Sequence, residues 1–207
     1  MSVASSSVHH GAALGRVAVS GVILAGGRGA RMGGADKGWV SWQGRALVER
    51  AQERFAPQVD ELLISANRNL DRYRALGAEV VSDDAQRLGS YAGPAAGMLA
   101  GMRKARHEWV AFVPCDAPLL PLDLVARLRR AAEGHRAAVA CCGGRMQPVF
   151  CLLARELAPQ WEALLLGGEN RPQSLLHACG AVALDFEDRL AFTNVNRMGD
   201  DGDIGDG

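Results

Sequence analysis

Residues 17–27, Val17-Ala18-Val19-Ser20-Gly21-Val22-Ile23-Leu24-Ala25-Gly26-Gly27, form an apolar run that closes on two glycines. A short continuous apolar run bounded by a turn signal reads as a strand buried on both faces. The amphipathic stretch RALVERAQERFA (45–56) then reads as a helix stopped by Pro57, and ELLISANR (61–68) as a second strand. NLDRYRALGA (69–78) reads as a short helix, AEVVSDD (78–84) as a third strand and GPAAGMLAGMRKAR (93–106) as a helix with Pro94 in its first turn. The strand EWVAFVPCD (108–116) and the proline-led helix PLDLVARLRRAAEG (121–134) follow. Beyond them the pattern predicts strands at HRAAVACC (135–142) and QPVFCLL (147–153), helix from Arg155 to Gly168, and a late strand GAVALDF (180–186). Alternation of this kind predicts an α/β domain with a mostly parallel sheet and right-handed crossovers. Ligands of such sheets gather outside the carboxyl ends of the strands. Three such ends are informative: the glycines after the first strand, Asp83-Asp84 after the third and Cys115-Asp116 after the fourth.

At 207 residues, 48% hydrophobic and 22% charged, the chain has the size and composition of one globular domain. Its formal net charge of +0 argues against a nucleic-acid binder, which needs a basic face. No apolar stretch reaches the roughly 18–20 residues of a membrane span. The expected organisation is a disordered leader at 1–16 that lacks the features of a secretory signal, a domain over 17–198, and a disordered acidic tail at 199–207. Five cysteines, odd in number and without a C-x-x-C pair, point to neither a disulfide framework nor a zinc site, and suit a reducing cytoplasm.

Leu24 to Lys37 carries five glycines in fourteen residues. Without Cβ atoms the backbone can turn tightly, and its successive N–H groups form an anion-binding concavity. It is not a P-loop, because no Gly-Lys pair occurs in the chain. Nor is it a dinucleotide fingerprint: Met32 stands where the third glycine belongs, and no acid ends the second strand. The cations nearby are Arg28, Arg31 and Lys37. Of the 23 cationic side chains only Lys37 and Lys104 are lysines, so a lysine at a motif position is informative. Its compact ammonium suits phosphate oxygens whose charge is shifting.

The pattern L-A-G-G-x-x-x-R-M-G-G-x-D-K at 24–37 closely resembles the opening motif of the molybdenum cofactor guanylyltransferases, within the glycosyltransferase-A-like nucleotidyltransferases. Further matches lie at Ala66-Asn67-Arg68, Gly93-Pro94-Ala95-Ala96-Gly97-Met98, Pro114-Cys115-Asp116-Ala117-Pro118 and Asn194-Val195-Asn196, so the resemblance spans Val19 to Asn196. It implies a single-domain three-layer α/β/α sandwich, its mostly parallel Rossmann-like sheet containing an antiparallel strand. It also implies transfer of GMP from GTP to the terminal phosphate of molybdopterin, or its molybdenum form, with release of pyrophosphate. Cofactor-delivery or molybdoenzyme-maturation proteins are the macromolecular partners it suggests. Related alternatives are a cytidylyltransferase acting on the same pterin or on a sugar or polyol phosphate, and a non-catalytic nucleotide- or pterin-binding module.

By the same resemblance, Leu24, Ala25, Gly26, Gly27, Lys37, Ser65, Asp83, Gly93 and Asp116 are the expected GTP-binding residues. Lys37, Arg31 and Asp116 are the expected catalytic residues, and Asp116 is the expected Mg²⁺ ligand. One carboxylate plus substrate phosphates is a usual way to hold Mg²⁺. An Asx-turn or helix cap before Pro118 is the competing role for Asp116. Asp83 suits the adjacent N1–H and N2–H₂ donors of guanine, with ribose and metal contacts left open. Ser65 stands where some relatives carry a nucleotide-contacting asparagine. Gly93-Pro94 opens a helix whose N-terminus favours an anion. Asn194 and Asn196, two apart and on one side of an extended segment, are the expected pterin-side contacts, against a plain polar pair on an exposed strand. Trp39 and Trp42 either line the acceptor cleft or pack. The five histidines show neither metal-like nor triad-like spacing. None is needed as a base, since the attacking phosphate monoester is already ionised with a second pKa of about 6.

Overall fold

Successive side chains of a strand point to opposite faces, and Val22, Ile23 and Leu24 meet two different layers of helices in this way. The computed structural model describes residues 17–26, 36–88 and 93–195. It begins with β1 (Val19–Leu24), β2 (Ser41–Trp42), β3 (Arg45–Ala46) and α1 (Leu47–Phe55). Next come β4 (Glu61–Ser65), α2 (Leu70–Arg74), β5 (Glu79–Val81), α3 (Ala85–Leu88) and α4 (Gly93–Lys104). The second half holds β6 (Trp109–Pro114), α5 (Leu124–Ala131), β7 (Ala137–Cys142), β8 (Arg145–Ala154), α6 (Ala158–Leu166), α7 (Pro172–Ala178) and β9 (Val182–Phe186). The expected leader, the acidic tail and the end of the domain at 198 fall outside the described residues.

Seven strands form one sheet in the order β5-β4-β1-β6-β8-β7-β9. β1 pairs in parallel with β4 and β6, β4 with β5, and β7 with β9, while β8 runs antiparallel to both neighbours. The expected mostly parallel sheet with an antiparallel strand is the observed one. One face buries Ile23, Ile64 and Val113 under Val48, Ala51 and Phe55 of α1 and Leu124, Val125 and Leu128 of α5. The other buries Val22, Leu63 and Phe112 under α4, with Trp161 and Leu165 of α6 and Leu175 and Leu176 of α7. The Trp161 indole N–H donates to the Ala95 carbonyl at 3.0 Å, tying α6 to α4. Among the described residues, no helix is long and apolar enough to cross a membrane.

Several elements differ from the pattern-based expectation. The helix expected over 45–56 spans only Leu47–Phe55, because Gln43 and Gly44 take positive φ angles of 49° and 78° and fold Arg45–Ala46 back on Ser41–Trp42. A two-residue turn of this kind matches the twist of paired strands. Gly143 and Gly144, with φ of 56° and 72°, likewise join β7 to a ten-residue β8 that is longer than expected. The stretch from Arg155 divides into a 3-10 turn, α6 and a separate α7 opened by Pro172, a helix beyond the one the pattern predicts. Proline is well placed in the first turn of a helix because its missing N–H would be unpaired there anyway.

At the amino end of the parallel strands, Glu61 is a buried carboxylate whose side chain is 2% exposed. It accepts from the Ser20 hydroxyl, from the Arg106 amide at 2.8 Å and from Arg106 Nε at 2.6 Å. Burial alone would push this carboxyl up, but hydrogen bonds from the Arg106 amide, Ser20 hydroxyl and guanidinium outweigh it and hold its pKa below the ordinary 4.5. The stability it contributes is therefore complete above about pH 4.5 and is lost as pH falls through the lowered value. Glu61→Gln is expected to cost about 2 kcal/mol at pH 7. In urea unfolding series from pH 7 down to pH 3, the gap between variant and wild type should narrow; a constant gap would contradict this assignment.

Candidate active site

The carboxyl ends of β1, β4, β5 and β6 lie side by side, and the strand ladder continues one residue beyond them. The Ala25 amide donates to the Ser65 carbonyl at 2.8 Å, the Ala66 amide to Val81 at 2.9 Å and the Cys115 amide to Leu24 at 3.1 Å. These bonds fix the directions in which the segments after Leu24, Ser65, Val81 and Pro114 leave the sheet. Asp116, two residues beyond the end of β6, is 4% exposed.

Across from it stands Lys37, the first residue of a 3-10 turn at Lys37–Trp39. Its Nζ contacts Asp116 Oδ2 directly. The lysine side chain is 24% exposed and the aspartate side chain 6%, so the pair is open to solvent from the lysine's side. A carboxylate this deep requires a compensating cation, and Lys37 supplies one. Asp36 caps the lysine turn by accepting the Gly38 amide at 3.3 Å. Its Oδ1 also accepts the Tyr73 hydroxyl at 2.6 Å, and its Oδ2 the Asn69 amide group at 2.9 Å. Gly38 is required here, because a Cβ at that position would overlap the Tyr73 hydroxyl. Tyr73 is fully buried. Burial first, and then its bond to Asp36, push the phenol well above its usual range, so it stays a donor.

Around this pair, Gly26 faces Asn67, where an added Cβ would lie 3.3 Å from Nδ2. Asn67 Oδ1 also accepts the Asp83 amide at 3.2 Å, so one side chain lies between Gly26 and the segment carrying Asp83. Ser65 is buried at 2%, its Oγ against α4, where a Cβ on Gly97 would lie 2.5 Å away. Its described contacts are thus packing against the helix and the carbonyl that holds Ala25. Gly93 opens α4 at a positive φ of 61° and faces open space. Asn194 is exposed, and its neighbour Val195 donates its amide to the Asp116 carbonyl at 3.1 Å. Val195, like Val40 and Leu119, packs against the buried pair Trp42 and Leu47. Trp42 and Trp39 pack as side chains of the fold, Trp39 between Tyr73 at 5.0 Å and the Arg72 guanidinium at 3.8 Å.

Of the sequence-derived candidates, Leu24, Ala25, Gly26, Lys37, Asp83, Gly93, Asp116 and Asn194 thus surround the carboxyl ends of the strands. Gly27, Arg31 and Asn196 lie outside the described residues. The sequence does not mark Asp36, Asn67, Asn69 and Tyr73 as site residues. Asn67 stood in the Ala66-Asn67-Arg68 motif and Asp36 beside Lys37, but nothing in the spacing of Asn69 and Tyr73 marks them. Cys115 is a buried thiol, pushed up by burial and then by the Asp116 charge, which keeps it protonated and unreactive. Among the described residues no three His, Cys, Asp or Glu side chains gather into a metal-holding group.

Comparison with known proteins places this arrangement. The family described as "MobA-like NTP transferase domain" matches residues 21–182. A protein of Shewanella halifaxensis named molybdenum cofactor guanylyltransferase is 46% identical over 181 residues, covering 86% of this chain and 89% of that one. The molybdopterin-guanine dinucleotide biosynthesis protein A of Archaeoglobus fulgidus shares the fold with a TM-score of 0.64 at 22% identity, over 80% of this chain and 83% of its own. Rv0371C of Mycobacterium tuberculosis, solved as a complex with manganese, also has a TM-score of 0.64, at 16% identity, over 83% and 90% of the two chains.

Gly38→Ala should destabilise the chain by about 1–3 kcal/mol through the forced overlap with Tyr73. In urea unfolding, part of that loss should return when Tyr73→Phe removes the hydroxyl. An unchanged midpoint in Gly38→Ala would show that the close approach has no energetic weight.

Proposed function

Since the chain belongs to the family of MobA-like NTP transferase domains, we propose that this nucleotidyltransferase moves GMP from GTP to the terminal phosphate of molybdopterin or its molybdenum form. Pyrophosphate is the second product. The relatives named molybdenum cofactor guanylyltransferase support the choice of nucleotide and acceptor. The observation that carries the reading is the Lys37–Asp116 contact beside the Gly26 turn.

In this reading an oxygen of the acceptor phosphate attacks the α-phosphorus of GTP, and the bond from the α-phosphorus to the bridging oxygen breaks. The electron pair leaves with pyrophosphate. No side chain has to remove a proton, because the attacking monoester is already ionised near neutral pH. What the protein must supply is alignment and charge compensation. Leu24, Ala25, Gly26 and Gly27 are assigned to the nucleotide, with Gly26 as the first residue past the strand ladder, and Lys37 and Arg31 are assigned to the positive charge on the departing side. Asp83 and Gly93 flank the nucleotide, Asn67 holds the Asp83 backbone, and Ser65 fixes Ala25 through its carbonyl. Asn194, whose neighbour Val195 bonds the Asp116 carbonyl, and Asn196 are assigned to the pterin.

Asp116 would hold a divalent metal, Mg²⁺ in this reading. A single carboxylate beside a phosphate-binding turn is a donor set that suits an ion held largely by substrate phosphates and water. The Lys37 ammonium on Oδ2 stands in for such a cation here. When bound, the ion supplies charge neutralisation on the phosphate oxygens. We place the enzyme in the cytoplasm, where its five free thiols remain reduced.

Lys37→Ala should lower turnover about a hundredfold, a loss of about 3 kcal/mol of transition-state stabilisation. Asp116→Ala should abolish metal-dependent turnover while circular dichroism shows an intact fold. Pyrophosphate release assayed with GTP and with CTP, with and without Mg²⁺, checks both variants and the nucleotide. Full activity in either variant would remove that residue from its role, and a preference for CTP would replace guanylyl transfer by cytidylyl transfer.

A further inference from the structure

We propose that Tyr73 and Asn69 are positioning residues, which act through the Asp36 carboxylate to hold the Lys37 ammonium at the reacting phosphates. The inference rests on the role assigned to Lys37 above.

A lysine side chain carries about 2 kcal/mol of rotamer entropy, so its aim depends on how firmly its root is held. The root of Lys37 is a 3-10 turn of three residues, which is too short to be stable by its own hydrogen bonds. Its cap bond, from the Gly38 amide to Asp36, is long at 3.3 Å. The firm contacts are made by Asp36 to a different part of the chain. Tyr73 of α2 donates to Oδ1 at 2.6 Å, and Asn69, the residue before α2, donates to Oδ2 at 2.9 Å. Both carboxylate oxygens are therefore held, and a planar group held at two oxygens can neither rotate nor swing away.

Three features show that these contacts converge on the lysine turn. Asn69 adopts the left-handed conformation, φ 51° and ψ 35°, unusual for a residue other than glycine, while its side chain bonds Asp36. The Tyr73 hydroxyl lies so close to Gly38 that no side chain fits between them. Trp39, the last residue of the turn, is clasped between the Tyr73 ring and the Arg72 guanidinium. The turn that follows α2 is itself tied to α1, where Gln52 Nε2 donates to the Leu76 carbonyl at 3.0 Å. A phenylalanine would fill the same core volume as Tyr73. Among the described residues, the hydroxyl bonds Asp36.

The test uses Tyr73→Phe, which keeps the ring, and Asn69→Gly, which keeps the left-handed backbone. Each should lower kcat, about tenfold for Tyr73→Phe and about threefold for Asn69→Gly, with the KM for GTP little changed, as expected when a transition-state contact is weakened. In a Lys37→Ala background neither should cost anything more, because the positioned group is gone. Independence from activity comes from the lysines themselves: protein labelled with ¹³C at lysine Cε gives two side-chain signals, from Lys37 and Lys104, assigned with Lys104→Arg. Tyr73→Phe should move the Lys37 signal and leave that of Lys104 in place.

Full kcat in both variants, additive losses in the Lys37→Ala background, or an unmoved Lys37 signal would each overturn the proposal. If Tyr73→Phe fails to fold, Asn69→Gly, altered at an exposed position, decides by the same readouts. A moved Lys37 signal in a chain that transfers no nucleotide would sustain the positioning and overturn the functional reading instead.

Discussion

Taking a carboxylate out of water is tolerable only where something positive or hydrogen-bonding replaces the water. The described residues contain two deeply buried carboxylates, and the fold satisfies them in different ways. Glu61, at the amino end of the parallel strands, is held by hydroxyl, amide and guanidinium donors that belong to the framework. Asp116, at the opposite end, is met by the ammonium of Lys37. A fixed set of donors makes a structural lock. An ammonium on a four-carbon stem makes a charge pair whose members can take new partners when phosphates and a cation arrive. The rest of the site follows from that second pair.

The sheet is what brings Lys37 and Asp116 together. β6 carries Cys115 and Asp116 out beside the end of β1, where the Cys115 amide still bonds Leu24. β4 and β5 deliver Asn67 and Asp83 on the other side of β1, and the Val195 amide binds the Asp116 carbonyl from the late part of the chain. Backbone bonds place the segments that leave β1, β4 and β6, while side chains place the Lys37 turn and the Asp83 segment. The two core layers above and below keep the strand ends in register, so that a nucleotide would meet a rigid edge with adjustable groups on it.

Much of this was legible in the chain itself. The apolar run at β1, the glycines after it and the acids ending later strands gave the parallel order and the edge at which groups converge. The resemblance added an antiparallel strand, which is β8, and separate roles for Lys37 and Asp116, while their direct contact belongs to the fold. Short structures set by turn geometry were less visible. Nothing in the helical pattern at 45–56 shows that Gln43-Gly44 folds Arg45 and Ala46 into a hairpin, since the turn depends on φ values that periodicity does not encode. Tyr73 and Asn69 read as ordinary members of an amphipathic helix. Their partner Asp36 lies more than thirty residues away, and only the fold brings them together. Ser65, which the resemblance assigns to the nucleotide, has its hydroxyl against α4, where Gly97 leaves room for it.

The account stands on one triphosphate shared by the Gly26 turn, Lys37 and Asp116. A crystal structure of the chain with a GTP analogue uncleavable at the α–β bridge, grown with Mg²⁺, addresses it most directly. The phosphate chain should lie along the turn after Leu24, with Lys37 moved from Asp116 onto a phosphate oxygen and the Asp116 carboxylate on the metal. A nucleotide bound on another face, with the ion pair between Lys37 and Asp116 undisturbed, would contradict it.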